Sequence, residues 1–368
     1  MINIVLPMRI LFPLFLAFVN TAHAQLPKFA MHELAGDLKG GYQVVIADVN
    51  GDGKPDIIAL ASGLPDLIWF ENPNWKRHVL ASGFNRMINC AFQMIDGKPV
   101  VLLASQFNND ASKSIGIVSV LTPGPDRSAP WTVKEIDRLP TSHRLRPFVL
   151  KGKPVFLSFP LTSSDATPPD YRGHVPIVLY RPGLWKREVI STEEEGVLHG
   201  VWIDGPDKFY TASFLGIHSY IFRRNKWIRE EISTGDSSPW PKSGSSDIAA
   251  SGSLLAAIEP WHGNQVVVYD SIRKTRKIID SSLVDGHTIA VVDLNQDNRK
   301  QIIAGYRGKG SSVNLYDLAD GHWRRTVLDD KMAAAACVTA DMNGDHRLDI
   351  ICIGASTANL KWYENLGR

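Results

Sequence analysis

Two patterns of hydrophobic and polar positions recur along the chain. In the first, an aromatic or bulky residue is followed by alternating basic and apolar positions, as a strand with one face in water requires. This pattern starts at Phe29, Trp75, Trp131, Trp185, Trp227, Thr275 and Trp323, at spacings of 42 to 56 residues. In the second, two apolar runs flank a short polar turn, at 44–60, 92–104, 147–159, 201–214, 248–260, 289–305 and 338–354. Runs apolar on both faces suit inner strands packed between neighbours, while the alternating strand faces outward. Both registers count seven. They predict an all-β fold, a seven-bladed β-propeller of four-stranded blades. The segment Leu360 to Asn365 resembles Leu67 to Asn72, a third strand, and Phe29 to Leu34 is a fourth strand without a blade. Pairing of these N- and C-terminal strands would close the ring and hide both sheet edges.

Composition agrees with many short strands and tight turns: the chain has 29 Gly, 22 Pro and 10 Trp in 368 residues. The first 24 residues read instead as an export signal. Arg9 precedes the apolar run Ile10 to Val19, and Ala22-His23-Ala24 is a small-x-small cleavage pattern. The mature chain, 25–368, is therefore expected in the periplasm or secreted, as one domain without a membrane anchor. A net charge of +2 offers no field to recruit nucleic acid or an anionic membrane. Three cysteines, Cys90, Cys337 and Cys352, cannot make a disulfide framework. They read as buried small hydrophobes, with a Cys337–Cys352 bridge across one hairpin as the alternative.

Three hairpin turns carry oxygen ligands at every second position around glycines. Asp48, Asn50, Asp52 and Asp56 form one set with Gly51 and Gly53, and Asp341, Asn343, Asp345 and Asp349 repeat it with Gly344. With the carbonyls of Lys54 and Arg347, these sets suit Ca2+ as structural clips. Asp293, Asn295, Asp297 and Gln301 form a weaker third copy, lacking the last carboxylate. The competing explanation is that Asp, Asn and Gly are simply good turn residues.

In a propeller these turns lie on one face, so the starts of first strands and the ends of second strands gather on the other, around the axis. That rule puts Gln43, Asn89, His143, Arg144, His199, Asp247 and His287 at first-strand starts. Gln106, Glu259, Trp261, His262, Tyr306 and Arg307 fall at second-strand ends, with His218 shortly after another. Three first-strand starts carry histidine, from a chain with 11. Each histidine alone could be structural, Trp261 a rim hydrophobe, and Arg144 and Arg307 solvated charges. Together they suit a sugar site: Trp261 to stack on a ring, arginine to fix a carbonyl or carboxylate. For β-elimination, His199 or His287 is the candidate base, Tyr306 the acid and Arg307 or Arg144 the electrophile, with His143 beside them. A further divalent metal held by histidines and Glu259 could stabilise the enolate instead. No nucleophile elbow, zincin motif or phosphate loop occurs.

The acidic turns resemble the FG-GAP or VCBS repeats of integrin-like and bacterial propellers. Segments 258–269, 285–297, 302–310, 332–345 and 359–365 further resemble the propeller domain of aldos-2-ulose dehydratase and its bacterial relatives. That resemblance implies elimination of water from a keto-sugar. The fungal enzymes carry cupin domains after the propeller where this sequence ends, so isomerase activity attached to those domains is not expected. Two functions compete: an exported lyase or dehydratase acting on a keto-sugar or related sugar at the histidine-rich mouth, and a non-catalytic module that binds a glycan or protein. A lectin has little use for convergent histidines, which favours the first. A third, assembly by displayed loops, has less behind it.

Overall fold

The computed structural model describes residues 26–270 and 275–368. The expected export signal at 1–24 lies outside the described residues. Among the described residues, twenty-eight strands form seven four-stranded antiparallel sheets, each in simple up-and-down order. Six sheets are built from consecutive strands. The seventh takes β26 (Ala334–Ala340), β27 (Asp349–Gly354) and β28 (Leu360–Gly367) from the C-terminus and its outermost strand, β1 (Lys28–Ala35), from the N-terminus. β1 pairs with β28 from Lys28 opposite Gly367 to Ala35 opposite Leu360. The ring is thus closed as the two sequence registers predict.

The inner strands show why their sequences are apolar on both faces. All six residues of β3 (Asp56–Ala61) are buried. Ile58 and Leu60 pack toward the second blade, against Leu103 and Trp131, while Ile57 and Ala59 pack toward the seventh, against Ile351 and Ile353. Alternation along one strand therefore fills two inter-blade cores. The core is a ring of such interfaces.

Polar side chains staple neighbouring blades. Asp137 at the end of the second blade accepts hydrogen bonds from Tyr180 (2.6 Å) and Arg187 (2.7 Å) of the third. Asp280 accepts from Tyr316 (2.8 Å) and Arg325, and Asp329 from Tyr363 (2.6 Å) and Lys361 (2.8 Å). Glu194 takes Tyr220 (2.9 Å) and Arg229 in the same way. Cys337 and Cys352 stand opposite each other on β26 and β27, with Cα atoms 4.2 Å apart, and are disulfide-bonded. Reading both as free hydrophobes is thereby corrected: cross-strand register brings them into bonding range. Cys90 is buried and free, and burial pushes its thiol up to about 12.

Candidate functional site

The first strands do not simply begin at the axis. Five of them open with a β-bulge whose extra residue turns inward. In β2 (Gly41–Ala47) the register slips between Gly41 and Gln43, freeing Tyr42. In β10 (Ser142–Leu150) it slips around His143, in β14 (Leu198–Ile203) around His199, and in β22 (Gly286–Val292) around His287. In β26 it slips around Ala335. The same local device in four blades therefore delivers one tyrosine and three histidines to the axis. A fourth histidine, His262, arrives from the loop after the fifth blade's second strand, with its backbone in the left-handed region at φ 49°.

The rings form one cluster. His199 lies 5.1 Å from both His143 and His287 and 5.0 Å from His262, between ring centroids, and His262 lies 5.1 Å from His287. His143, His199 and His287 are no more than 2% exposed, whereas the side chain of His262 is 30% exposed and opens the cluster to solvent. Each nitrogen has a definable role. His287 Nδ1 donates to Ala335 O at 2.6 Å, leaving Nε2 buried without a partner. His262 Nδ1 lies 3.1 Å from Asp285 Oδ1, and its Nε2 faces His199 Nε2 at 3.4 Å. His199 Nδ1 lies 3.4 Å from Ser246 Oγ. Among the described residues, His199, His262 and His287 form the group of three whose ligand atoms all come within 4.8 Å of one another.

Burial pushes His143, His199 and His287 well below the usual imidazole range, helped by Arg144 and neighbouring histidines or Arg307. Burial also lowers His262, against the opposing pull of Asp285. These imidazoles are neutral near pH 7, the form that ligates metals and accepts protons. Burial would raise Asp285, but its bonds to His262 and Arg307 outweigh that and hold it at about 2. Arg307 grips Asp285 through Nε (3.1 Å) and Nη2 (3.0 Å). Arg144 donates Nε–H to His199 O at 3.0 Å, and its Nη2 lies 3.3 Å from His199 Nε2. Tyr42 Oη lies 2.7 Å from His143 Nε2, and His143 Nδ1 is buried without a partner.

A cavity of about 530 Å³ continues along the axis from His287 and Arg144 toward the turn ends of the first strands, with Asp247 on its wall. Trp261 stands beside His262 (4.8 Å between centroids) and packs against Tyr171 and Phe214.

Three expected members lie elsewhere. Glu259 turns away from the axis and is bonded within its own blade to Tyr269 and to Arg276 (3.0 Å). It is therefore not available to a metal held by the histidines. His218 is buried in the fourth blade, 3.5 Å from Glu194, because it points into the blade stack. Tyr306 is packed in the core between the fifth and sixth blades, with its hydroxyl on Gly310 O, so the acid role assigned to it falls away. Conversely, Tyr42, Ser246, Asp285 and Arg146 belong to the site and were not expected there. Tyr42 occupies the position equivalent to His143 and His199 once the bulge is recognised, and Asp285 precedes His287 by two residues. Gln43 and Asn89 serve the ring: Gln43 donates Nε2–H to Cys90 O at 2.9 Å, and Asn89 Oδ1 accepts from Leu145 N at 2.9 Å.

The acidic turns lie on the opposite face. Asp48 accepts from Gly51 N (2.7 Å) and Gly53 N (3.0 Å), and Asp341 from Gly344 N (2.8 Å) and His346 N (2.8 Å). Asp293 does the same for Asp297 and Asn298. Asn50 Oδ1 caps Asp52 N, and Asn343 Oδ1 caps Asp345 N. Asp56 and Asp349 are fully buried. Asp56 accepts from Val49 N (3.0 Å) and Asn72 N (2.9 Å), and Asp349 from Met342 N (3.1 Å) and Asn365 N (2.8 Å). Gln301 accepts from Leu294 N at 2.8 Å, so it replaces the carboxylate in closing the hairpin. Asn295 Oδ1 is buried without a partner.

Comparison with known families bears on both the histidine cluster and the acidic turns. Residues 116–272 match the aldos-2-ulose dehydratase β-propeller domain. That span contains His143, His199, Asp247 and His262. Most segments on which the resemblance was read lie beyond it, toward the C-terminus. Residues 40–71, with the first acidic turn, match the FG-GAP repeat. No curated protein matches the chain. Solved structures share the fold at low identity. The propeller of BBS1N, crystallised with ARL6DN, aligns at TM-score 0.60 and 11% identity, over 93% of this chain and 98% of that one. The WD40 propeller domain of Doa1 aligns at TM-score 0.57 and 14% identity, over 94% and 97%. The U3-55K structure aligns at 0.61 and 11%, over 92% and 99%.

Proposed function

We propose that the protein is a carbohydrate lyase or dehydratase that eliminates across a sugar carbon–carbon bond next to a carbonyl, at the histidine cluster. The observation that carries this reading is the convergence of His199, His262 and His287 with each Nδ1 beside an oxygen. Such outer contacts orient imidazoles for a metal, and the buried, unpartnered Nε2 of His287 is aimed into the group. Neutral histidines of this number suit a zinc-like cation with an open position. Bound there, it would supply Lewis-acid polarisation of the substrate carbonyl.

The chain's own residues then divide the work. Arg144, beside His199 Nε2, offers N–H donors to the oxygen on which negative charge develops. The unpartnered Nδ1 of His143 takes the proton from the carbon next to the carbonyl. Its Nε2–H passes to Tyr42, and the Tyr42 hydroxyl proton goes to the departing hydroxyl, so that the carbon–oxygen bond breaks with loss of water. Burial raises Tyr42 above the usual phenol range, which keeps it protonated until that step. Trp261 offers a face for the sugar ring. The match to a dehydratase propeller supports the reaction class. The disulfide supports export to an oxidising compartment, periplasmic or extracellular. In the acidic turns, Ca2+ held by Asp48, Asn50 and Asp52, by Asp341, Asn343 and Asp345 and, more weakly, by the third turn would add structural clips.

Incubation with 1,5-anhydrofructose, 3-keto-glycosides and uronate polymers, followed by enone absorbance, tests the reading. Absorbance from at least one substrate is expected. Absence of turnover together with glycan binding that Trp261→Ala abolishes would instead favour a binding module.

A further inference from the structure

Two arginines on one strand enter the axial cavity. Arg144 and Arg146 are two residues apart on β10, so they share the face turned to the axis. Arg146 donates to two neutral oxygens, Asn89 Oδ1 at 3.2 Å and Leu145 O at 2.9 Å. Arg144 reaches the His199 carbonyl and the Tyr42 ring, 5.6 Å from its centroid. Neither forms an ion pair among the described residues. Asp247 shares the cavity and accepts from Ile248 N at 3.1 Å, and burial raises it against the opposing pull of Arg144 and Arg146. The cavity wall thus holds two cations against one carboxylate that touches neither. Arg144 is buried and Arg146 half-buried, a cation without an ionic partner is costly there, and paired guanidinium donors match a planar carboxylate. Burial and Arg144 lower Arg146 to about 10, so it is still charged near pH 7.

We infer that the axial cavity binds a sugar acid, with its carboxylate on Arg146 and its reacting carbons toward Arg144 and His287. This names the substrate class for the elimination proposed above and rests on that reading only for the chemistry, not for the binding. The volume of about 530 Å³ is in the range of small-ligand sites.

Calorimetric titration of the full chain with D-glucuronate and D-galacturonate, their methyl esters and sulfate tests it. The acids are expected to bind at least tenfold more tightly than the esters. Arg146→Gln should remove that preference, with Arg146→Lys between. Should Arg146→Gln fail to fold, the acid-to-ester ratio of the unmodified protein and its loss in high salt decide. Equal binding of acids and esters overturns the inference, and so does sulfate binding as tight as that of the acids, which would mark a simple anion site. Acid binding without turnover sinks the lyase reading alone. Turnover of neutral keto-sugars without acid preference sinks the sugar-acid inference alone.

Discussion

Asp285 holds His262 by one ring nitrogen at 3.1 Å, while the other faces His199 Nε2 at 3.4 Å. The carboxylate is itself fixed by Arg307, so the one histidine of the group that meets solvent is held by an anchored carboxylate. Asp285→Asn keeps the shape but weakens that hold. Zinc affinity, measured by calorimetric titration, is expected to fall about 10–100-fold with little change in melting temperature. Unchanged affinity would remove Asp285 from the site.

The staples predict an acid response. Burial would raise Asp137, but bonds to Arg187 and Tyr180 outweigh it and hold it below the usual carboxylate range. Asp280 and Asp329 behave alike, held down by Ser282 and Tyr316 and by Lys361 and Tyr363 respectively. A carboxyl depressed in the folded state stabilises it above the unfolded pKa, near 3.8 here, and that stability is lost as pH falls through the folded value. Urea midpoints should thus decline below about pH 6.5, where the histidines protonate in the unfolded chain but not in the buried cluster, and fall further below about 4 as the staples are lost. Asp137→Asn is expected to cost about 1–3 kcal/mol at pH 7 and progressively less at low pH. A cost independent of pH would contradict the staple.

The acidic turns combine two separable effects. Asp56→Ala strands the buried amides of Val49 and Asn72 and should cost about 2–5 kcal/mol with or without calcium. Asp48→Ala leaves that closure in place but should reduce the rise in melting temperature on adding Ca2+, and Asp48→Ala combined with Asp341→Ala should remove most of it. A calcium response undiminished in Asp48→Ala would exclude this turn as a source.

The Cys337–Cys352 bridge ties the two inner strands of the blade that closes the ring. It encloses a loop of separation 15, for which chain entropy gives about 3 kcal/mol. Thermal scans of Cys337→Ser/Cys352→Ser should show lower stability at every pH. An unchanged transition would mean that the bridge adds nothing to ring closure.

Seven repeats made the fold legible, because an error in one unit is corrected by the other six. The histidines at 143, 199 and 287 were legible from topology alone. What the sequence concealed is the bulge: a one-residue slip decides whether Tyr42 or Gln43 faces the axis. Glu259 and Tyr306 sit at strand ends as expected, yet the last turn of each strand aims them into the blade stack, where Arg276 and Gly310 wait. Loop-borne partners such as Asp285 and Ser246 depend on long-range packing that no local pattern encodes.

The most direct measurement follows enone absorbance on the keto-sugar and uronate panel with chelator-treated protein, before and after a divalent cation is restored, in the natural sequence and in His199→Gln. Elimination that needs the cation and is lost in His199→Gln is predicted. Cation-loaded, folded protein that binds these sugars but never produces absorbance would contradict a catalytic centre at the mouth.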